Sequence, residues 1–532
     1  MNQPLSALKA LETVLEQEPT NRDALLGLAS AHFALRQYGE AARVYLHAVA
    51  IRPRDADAWY GMGICFEHLA ENTTRQMSQR DPQSPYYHRL VGEFLLRQGE
   101  AIDAEHAFRE ALLLSHGADG WGLHAALGFT LLHLGQFSQA DSEFRAELQL
   151  NPGSLEASLG LASANLDQGR TAAASPLLCS VYGADPGFFL AHLGLLGGTL
   201  DSKTLTGAGR QLLFPGSPSS CAKALALVQN EITSPATTVD DEGAFRPFQF
   251  RPAENPVATR KALEAARVAI RSGHYTQCAQ TLGTVAPLDS ENDMVLARCA
   301  CLSGRFYGAF EAAQRIVASD PENVAARYWE AEATKNLARA ALSQAVLLNP
   351  HSWQGRILSG DIYRQRKQWD AARLNYQTAA RLEPSSPAPY LGLATVDWRL
   401  GEFANAQNEL QKVLELEPQN AQAEFEIGDI LVRDHRFRAA LPYLEKTVSG
   451  EPDLLVAHGD LGKCYASLGD VNSAVRELTR ALPADRFGDL HFLLYLQYKK
   501  EGRAILAKQA LNESQKLRAH ELRTQQTRLQ EA

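Results

Sequence analysis

The 532-residue chain lacks the sequence signals of the common enzyme classes. It contains no glycine-rich phosphate loop, no Gly-x-Ser-x-Gly nucleophile turn and no His-Glu-x-x-His metal motif. Its fifteen histidines are scattered along the chain instead of standing at ligand spacings. The sequence therefore predicts a protein with no catalytic residues, no cofactor and no metal site.

Long apolar runs and strong charge of one sign are missing too. No run reaches the roughly 18 apolar residues of a membrane helix, so we expect no membrane insertion. The formal charge of -9 is mild and spread out, whereas nucleic-acid binding needs a basic stripe. We therefore expect no nucleic-acid partner.

The first residues have neither the basic start nor the apolar core of a signal peptide, so a cytoplasmic location is the default expectation. The repeat pattern described below opens in the middle of a repeat. A start further upstream that carries an export signal is the alternative, and it would place the protein in the cell envelope.

Cysteine is scarce, with seven residues. Cys65, Cys299 and Cys464 share one position of the repeat described below, which favours packing over redox chemistry. Cys278, Cys299 and Cys301 are spaced so that they can meet across a repeat boundary. A Cys-x-Cys pair alone does not indicate a zinc or redox site.

What the chain does have is a period, marked by proline. One series steps by 34, 29, 34, 36 and 34 residues, with a histidine in one place, and a second series steps by 34, 29, 34, 34 and 34. The two series are offset by 266 to 268 residues. They are Pro19, Pro53, Pro82, His116, Pro152, Pro186 and Pro287, Pro321, Pro350, Pro384, Pro418, Pro452. A 34-residue period predicts stacked helical hairpins, and the shared 29-residue step indicates a tandem duplication.

Small and large residues recur at fixed positions of each repeat. In one window Gly360, Tyr363, Ala372, Tyr376 and Ala379 occupy positions 8, 11, 20, 24 and 27. Small residues at positions 8 and 20 let two helices approach, and large ones fill the remaining space. About ten windows share this pattern, which closely resembles the tetratricopeptide repeat family. The resemblance implies an all-α, right-handed superhelical solenoid, here in two tandem stacks.

The pattern divides the chain into four segments. Residues 1–200 form the first predicted stack and residues 259–522 the second. Residues 201–258 read as a degenerate cap helix, near Cys221 to Ile232, followed by a flexible linker rich in Pro, Ser and Thr. Residues 523–532 read as a polar tail.

The shortened repeats and the aromatic residues of the linker depart from this regular layout. The repeats with the 29-residue step lack the usual five-residue turn, and we expect the stack to bend at both. The linker carries Phe245, Phe248 and Phe250. These aromatic residues either cover the end of one stack or lie in a groove of the chain itself and compete with a partner.

In this family, positions 2, 5, 9, 12 and 13 of each repeat face the concave wall. Carried over to this chain, these positions predict a largely apolar groove in the first stack. They predict a groove with arginine, aspartate and aromatic residues in the second. The residues that we expect to contact a partner are Phe33, Tyr86, Arg89, Phe129, Asp361, Arg364, Trp398, Arg399, Phe425, Asp429 and Arg433. The alternative for each of them is packing against the next repeat. No repeat combines Lys at position 5 with Asn at position 9, the pair that family members use to bind chaperone tails.

The predicted function is that of a non-enzymatic scaffold or adaptor that holds peptide segments of partner proteins. One alternative is an assembly factor that self-associates through the ends of its stacks. Another is an accessory subunit of an envelope or secretion machine. The partner's identity does not follow from the groove residues, because they do not form a code.

Overall fold

The computed structural model describes residues 2–97, 99–115, 120–192, 226, 228, 244–245, 251–252, 256–286, 288–365, 367–452, 454–485 and 487–531. The described residues are almost entirely helical, and they form two compact units, unit 1 (Met1–Asn349) and unit 2 (Pro350–Ala532). The expected all-α fold of stacked helical hairpins is confirmed.

The helices described in unit 1 are, in chain order, α1 (Asn2–Gln17), α2 (Arg22–Ala34), α3 (Tyr38–Ile51), α4 (Ala56–Arg80), α5 (Pro85–Arg97), α6 (Ala101–Leu114), α7 (Leu123–His133), α8 (Phe137–Leu150), α9 (Leu155–Asp167), α10 (Thr171–Ala184), α11 (Pro186–Ala191), α12 (Pro256–Arg271), α13 (Tyr275–Leu282), α14 (Ser290–Leu302), α15 (Phe306–Ser319) and α16 (Val324–Leu348). Two short strands, β1 (Arg251–Pro252) and β2 (Val285–Ala286), pair in parallel.

The helices described in unit 2 are α17 (Trp353–Gln365), α18 (Trp369–Leu382), α19 (Ala388–Arg399), α20 (Phe403–Leu416), α21 (Ala421–Arg433), α22 (Phe437–Gly450), α23 (Leu455–Leu468), α24 (Val471–Ala481), α25 (Asp489–Lys500) and α26 (Ala504–Glu531). A short 3-10 turn (Leu482–Ala484) follows α24. The residues predicted as a polar tail continue α26 as far as Glu531.

After several of the periodic prolines, the residue two positions later caps the next helix with its side chain; these caps include Asn21, Asp55, Ser154, Asn323 and Asn420. Asn21 accepts a hydrogen bond from Ala24 N at 3.0 Å, and Asn420 accepts one from Ala423 N at 2.9 Å. Such a cap satisfies a backbone N–H that has no partner inside the helix. The proline ends one helix and the cap begins the next, which explains why prolines mark the period.

Glycine at position 8 lets the two helices of a hairpin meet, as the sequence predicted. A Cβ atom on Gly128 would lie 2.6 Å from a ring carbon of Phe144 at position 24. A Cβ atom on Gly360 would lie equally close to Tyr376. The missing side chain at position 8 therefore makes room for the large residue at position 24.

The two repeats with the 29-residue step differ from the other repeats. Instead of a helical hairpin, each forms one uninterrupted 25-residue helix, α4 and α16. Because the residues of the turn are missing, the backbone hydrogen bonds of the first helix continue into the second. The bend of the stack expected at these two places stays a prediction.

These two long helices pack against each other inside unit 1, in antiparallel orientation. Gly63 in the first half of α4 faces Leu342 near the end of α16. Arg80 at the end of α4 donates to Pro321 O, at 3.1 Å, just before α16 begins. The duplicated halves of the sequence are therefore joined through their equivalent helices.

The two halves of unit 1 contact each other at a second junction, in addition to the α4–α16 contact. Thr276 N donates to Asp185 Oδ2 at 2.6 Å, and Tyr275 Oη donates to Gly153 O at 3.3 Å. Because the two halves contact each other at both junctions, the helices of unit 1 form a closed arrangement instead of an open stack. Residues 259–349 thus share a compact unit with residues 1–200, and the unit boundary lies at Asn349, not in the segment predicted as a linker.

Only a few residues of the predicted linker are described, and one of its aromatic residues is among them. Phe245 is 7 % exposed, and its ring lies 5.1 Å from that of Trp59 on α4. Ala244 O accepts a hydrogen bond from Tyr307 N on α15 at 2.9 Å. This short stretch therefore packs between two helices of unit 1. Phe248, Phe250 and most of the predicted cap helix lie outside the described residues.

The cysteines near the second junction form a covalent bond. Cys278 on α13 and Cys299 on α14 form a disulfide, while the neighbouring Cys301 is free and buried. The packing role predicted for Cys299 was therefore wrong. Cys65 and Cys464 are free and buried, and burial raises the pKa of both thiols to about 12, so neither is reactive.

Among the helices of the described residues, none is both long enough and apolar enough to cross a bilayer.

Candidate functional site

Four of the predicted contact residues of unit 2 meet on the first helices of successive repeats. Trp398 on α19 is half-buried, and the guanidinium carbon of Arg433 on α21 lies 5.0 Å from the centre of its ring. The exposed Arg399 lies 5.3 Å from the same ring. Arg433 Nε also donates to Asp429 Oδ2 at 2.9 Å. A half-buried indole flanked by arginines is a frequent anchor at protein interfaces.

The charged surface continues onto α23. Lys463 Nζ donates to Asp460 Oδ1 at 2.8 Å, whereas Asp460 Oδ2 is buried and has no hydrogen-bond partner. Burial raises the pKa of Asp460, and the nearby negative charge of Asp429 acts in the same direction. Asp429, Arg433, Asp460 and Lys463 therefore form one interacting set across α21 and α23.

A cavity of about 490 Å³ adjoins this set where α23 meets α25. Its wall is mainly apolar, and lysines stand at its rim. The lining residues are Ala466, Ser467, Leu493, Leu496, Gln497, Lys499 and Lys500. A cavity of this size accommodates one or two apolar side chains of a partner.

We call this surface the unit 2 groove, defined by Trp398, Asp429, Arg433, Asp460, Lys463 and the lining of the cavity. Leu493, Gln497 and Lys500 stand at positions 5, 9 and 12 of the last repeat. They are missing from the predicted set, although the same position rule applied to that repeat identifies them. Asp460 stands at position 6, and only its spacing of three residues from Lys463 marks it in the sequence.

The other predicted residues of unit 2 lie within the packing of their own repeats. Phe425 is partly buried against the core around α19 to α23. Tyr376 Oη donates to Asp361 Oδ1 at 2.7 Å, and Arg364 donates to both of these residues. Burial raises the pKa of Asp361 despite these hydrogen bonds. Asp361 and Arg364 thus bind mainly to their own hairpin.

The predicted residues of unit 1 are occupied by packing within that unit. Arg89 is buried, donates to Glu93 at 3.0 Å and to Trp121 O at 2.8 Å, and lies 4.8 Å from the ring of Tyr328 on α16. Tyr86 packs against the same tyrosine, with ring centres 5.6 Å apart.

The two phenylalanines predicted in unit 1 also contact neighbouring rings. Phe129 is buried, with its ring centre 5.1 Å from that of Phe144. Phe33 is half-buried, with its ring centre 5.2 Å from that of Tyr38 and 5.3 Å from that of His68. The structure therefore brings four of the predicted residues of unit 2 together, Trp398, Arg399, Asp429 and Arg433. It uses the other three, and those of unit 1, for internal contacts.

Stacked helical hairpins whose first helices carry a mixed aromatic and charged surface define a helical-repeat scaffold. Sequence profiles described as tetratricopeptide repeat match residues 1–66 and 431–493, and residues 126–187 and 391–453; a further TPR repeat profile matches residues 360–401. The chain is a tetratricopeptide repeat protein. Proteins of this family generally act as non-enzymatic scaffolds that bind other proteins.

One curated relative is the anaphase-promoting complex subunit 3 of Schizosaccharomyces pombe, 21 % identical over 204 residues. The match covers 37 % of this chain and 31 % of that protein, so the chain spans about a third of that relative's length.

Similar solved structures are smaller repeat proteins. YrrB, described as a TPR protein with an unusual peptide-binding site, is 19 % identical with a TM-score of 0.31, covering 35 % of this chain and 97 % of YrrB. MamA from Desulfovibrio magneticus RS-1 is 21 % identical with a TM-score of 0.30, covering 32 % of this chain and 96 % of MamA.

Proposed function

We propose that the chain is a non-enzymatic adaptor whose unit 2 groove binds a peptide segment of a partner protein. The observation that supports this most directly is the half-buried Trp398 beside Arg399 and Arg433. The cavity between α23 and α25 lies further along the same series of first helices. In this proposal the indole and the cavity take up apolar side chains of the peptide. Arg433 and Lys463 bind its acidic or carbonyl groups, since both side chains only donate.

Unit 1 plays a supporting role in this proposal. Its predicted contact residues are engaged inside the unit, and its two halves are closed by the α4–α16 contact. We therefore expect affinity for a partner to depend on unit 2.

Truncating the anchors is expected to weaken binding without unfolding the protein. With the full-length chain as bait in lysate of the native organism, we expect Trp398→Ala to reduce the affinity for the captured partner about tenfold or more. Arg433→Ala should cause a smaller loss, because the indole remains. Retained partner is quantified by mass spectrometry, and affinity is then measured with the purified partner.

Arg381→Ala is the matched control, because Arg381 is an exposed arginine on the second helix of its hairpin. It is expected to bind like wild type, and circular dichroism should show the same melting for all three variants. Wild-type binding by both Trp398→Ala and Arg433→Ala contradicts the proposed groove. If the chain captures only itself and its mass in light scattering rises with concentration, self-assembly replaces the adaptor as the function.

A further inference from the structure

Arg298 lies in a corner between two indole rings inside unit 1, away from the unit 2 groove. Arg298 is on α14, Trp121 precedes α7 and Trp329 is on α16. The guanidinium carbon lies 4.7 Å from the centre of the Trp121 ring and 5.8 Å from that of the Trp329 ring. The two rings are 6.4 Å apart and inclined at 57°. Residues from three separate parts of the chain thus surround one cation.

No carboxylate neutralises this cation. Among the ion pairs of the described residues none involves Arg298, and its Nε is buried without a hydrogen-bond partner. Burial lowers the pKa of Arg298, and the nearby Arg89 cation acts in the same direction. A buried guanidinium without an anion is costly, and proteins usually pair such a group or use it to bind a ligand.

Two carboxylates of the neighbourhood pair with other cations. Glu93 accepts from Arg89 at 3.0 Å and lies 3.4 Å from Lys335. Glu332 pairs with the same lysine. A third acid, Glu156, has a buried Oε2 without a hydrogen-bond partner and interacts electrostatically with Arg89. None of these three acids forms an ion pair with Arg298.

A second donor in the corner also has no acceptor. Trp329 is only 3 % exposed, and its indole Nε1 is buried without a hydrogen-bond partner. Buried N–H groups normally find an acceptor. Two adjacent side chains with unused donors indicate that an acceptor group from outside the protein belongs here.

The corner remains open to a ligand. Trp121 and Arg298 are half-buried, so part of each side chain still faces solvent. The tyrosine pair Tyr86 and Tyr328 lies nearby, and Tyr328 contacts Trp329 with ring centres 5.0 Å apart. Together these rings give the corner an aromatic wall next to its cation.

We propose that this corner is a binding site for a monocarboxylate with an apolar or aromatic body. The carboxylate pairs with the planar N–H edge of Arg298, which suits a two-oxygen acceptor. The body of the ligand packs on the indoles. A doubly charged anion is disfavoured because Glu93 accepts a hydrogen bond from Tyr328, whose ring contacts Trp329, and so places a negative charge beside the aromatic wall. The carboxylate belongs either to a free small acid or to the C-terminus of a peptide.

The test uses the full chain and two kinds of probe, measured by isothermal titration calorimetry. Phenylacetate represents a small acid, and phenylacetamide is its neutral analogue. The peptide Gly-Gly-Phe is used with a free and with an amidated C-terminus. We expect binding of phenylacetate, of the free-acid peptide, or of both, and no binding of either amide.

Substitution of the anchor separates a specific site from general affinity. Arg298→Met keeps much of the side-chain volume and is expected to weaken binding about tenfold or more, because the charge-assisted hydrogen bonds are lost. Arg298→Lys keeps the charge and should retain weaker binding. Arg339→Met, on the exposed face of α16, is the control and should bind like wild type.

The melting temperature of the ligand-free protein is a second measurement. It separates an arginine kept for binding a ligand from an arginine that only stabilises the fold. Without ligand, Arg298→Met is expected to melt about 2 °C higher than wild type, because an unpaired buried charge has been removed.

Binding of the free-acid peptide alone identifies a peptide C-terminus as the source of the carboxylate, and binding of phenylacetate alone identifies a small acid. Equal binding of the amides, wild-type affinity in Arg298→Met, or no binding of any probe at millimolar concentration overturns the proposal.

Discussion

Gly63→Val is expected to lower the free energy of unfolding of unit 1 by about 3 kcal/mol. A Cβ atom at this position would lie 2.6 Å from Leu342 Cγ, 2.7 Å from Leu342 Cδ2 and 3.3 Å from Ala338 O. The added side chain therefore collides with α16 where the two long helices cross. Since a packed core yields little, α4 and α16 must move apart. Urea unfolding followed by circular dichroism measures the loss.

The control for this substitution is Gly39→Val in the same unit. Gly39 is also helical, but a Cβ atom there meets nothing within 4 Å. We expect its unfolding free energy to stay within about 0.5 kcal/mol of wild type. In hydrogen exchange, Gly63→Val should deprotect α4 and α16 together. Equal stability of the two valine variants would show that the helices do not pack as described.

Glu477→Ala is expected to lower the free energy of unfolding of unit 2 by about 3 kcal/mol. The side chains of Glu477 and His458 are 6 % and 1 % exposed, and Glu477 Oε2 accepts from His458 Nδ1 at 2.6 Å. His458 Nε2 donates to Pro452 O at 2.8 Å. Both ring nitrogens of His458 thus face acceptor groups inside the fold. Removing the carboxylate leaves a buried ring nitrogen without its partner and leaves Arg476 without its carboxylate.

The same pair makes the stability of unit 2 depend on pH. Burial acts to raise the pKa of Glu477, but hydrogen bonds from Arg476 and His458 outweigh it, so the pKa is lowered. A carboxyl whose pKa is lower in the folded state stabilises the fold above its unfolded pKa of about 4.3. This contribution is lost as the pH falls through the folded pKa.

Denaturation of wild type and Glu477→Ala between pH 7 and pH 3 tests this linkage. The difference between the two proteins should be largest at neutral pH and shrink below about pH 4. Glu513→Ala, which removes an exposed pair with Lys516, is expected to behave like wild type at every pH. A difference that stays constant with pH would exclude the charged pair as the cause.

The local order of this fold was predictable because each repeat contacts its neighbours in the sequence. Glycine at position 8 and a large residue at position 24, as in Gly128 and Phe144, report a contact inside one hairpin. The contact of Gly63 with Leu342 joins residues 279 positions apart. A repeat pattern carries no information about such a pairing. The two 29-residue steps marked the helices involved but not that they pack on each other.

The candidate site was predictable where no other helix of the described residues covers the first helices. Trp398, Asp429 and Arg433 meet as the position rule predicted. Arg89 satisfies the same rule, but Tyr328 of α16 covers it because unit 1 closes on itself. The position rule assumes an open stack, so it fails where distant repeats fold back. Asp460 was missed because it stands one position outside the rule.

The most direct test of the proposed adaptor function is site-specific photocrosslinking within unit 2. Benzoylphenylalanine replaces either Ser467, which lines the cavity between α23 and α25, or Ser449, an exposed serine on the second helix α22. Each full-length variant is irradiated in lysate of the native organism and analysed by mass spectrometry. We predict a crosslinked partner protein for the Ser467 variant and none for the Ser449 variant. A partner crosslinked at Ser449 but not at Ser467 would contradict binding in the unit 2 groove.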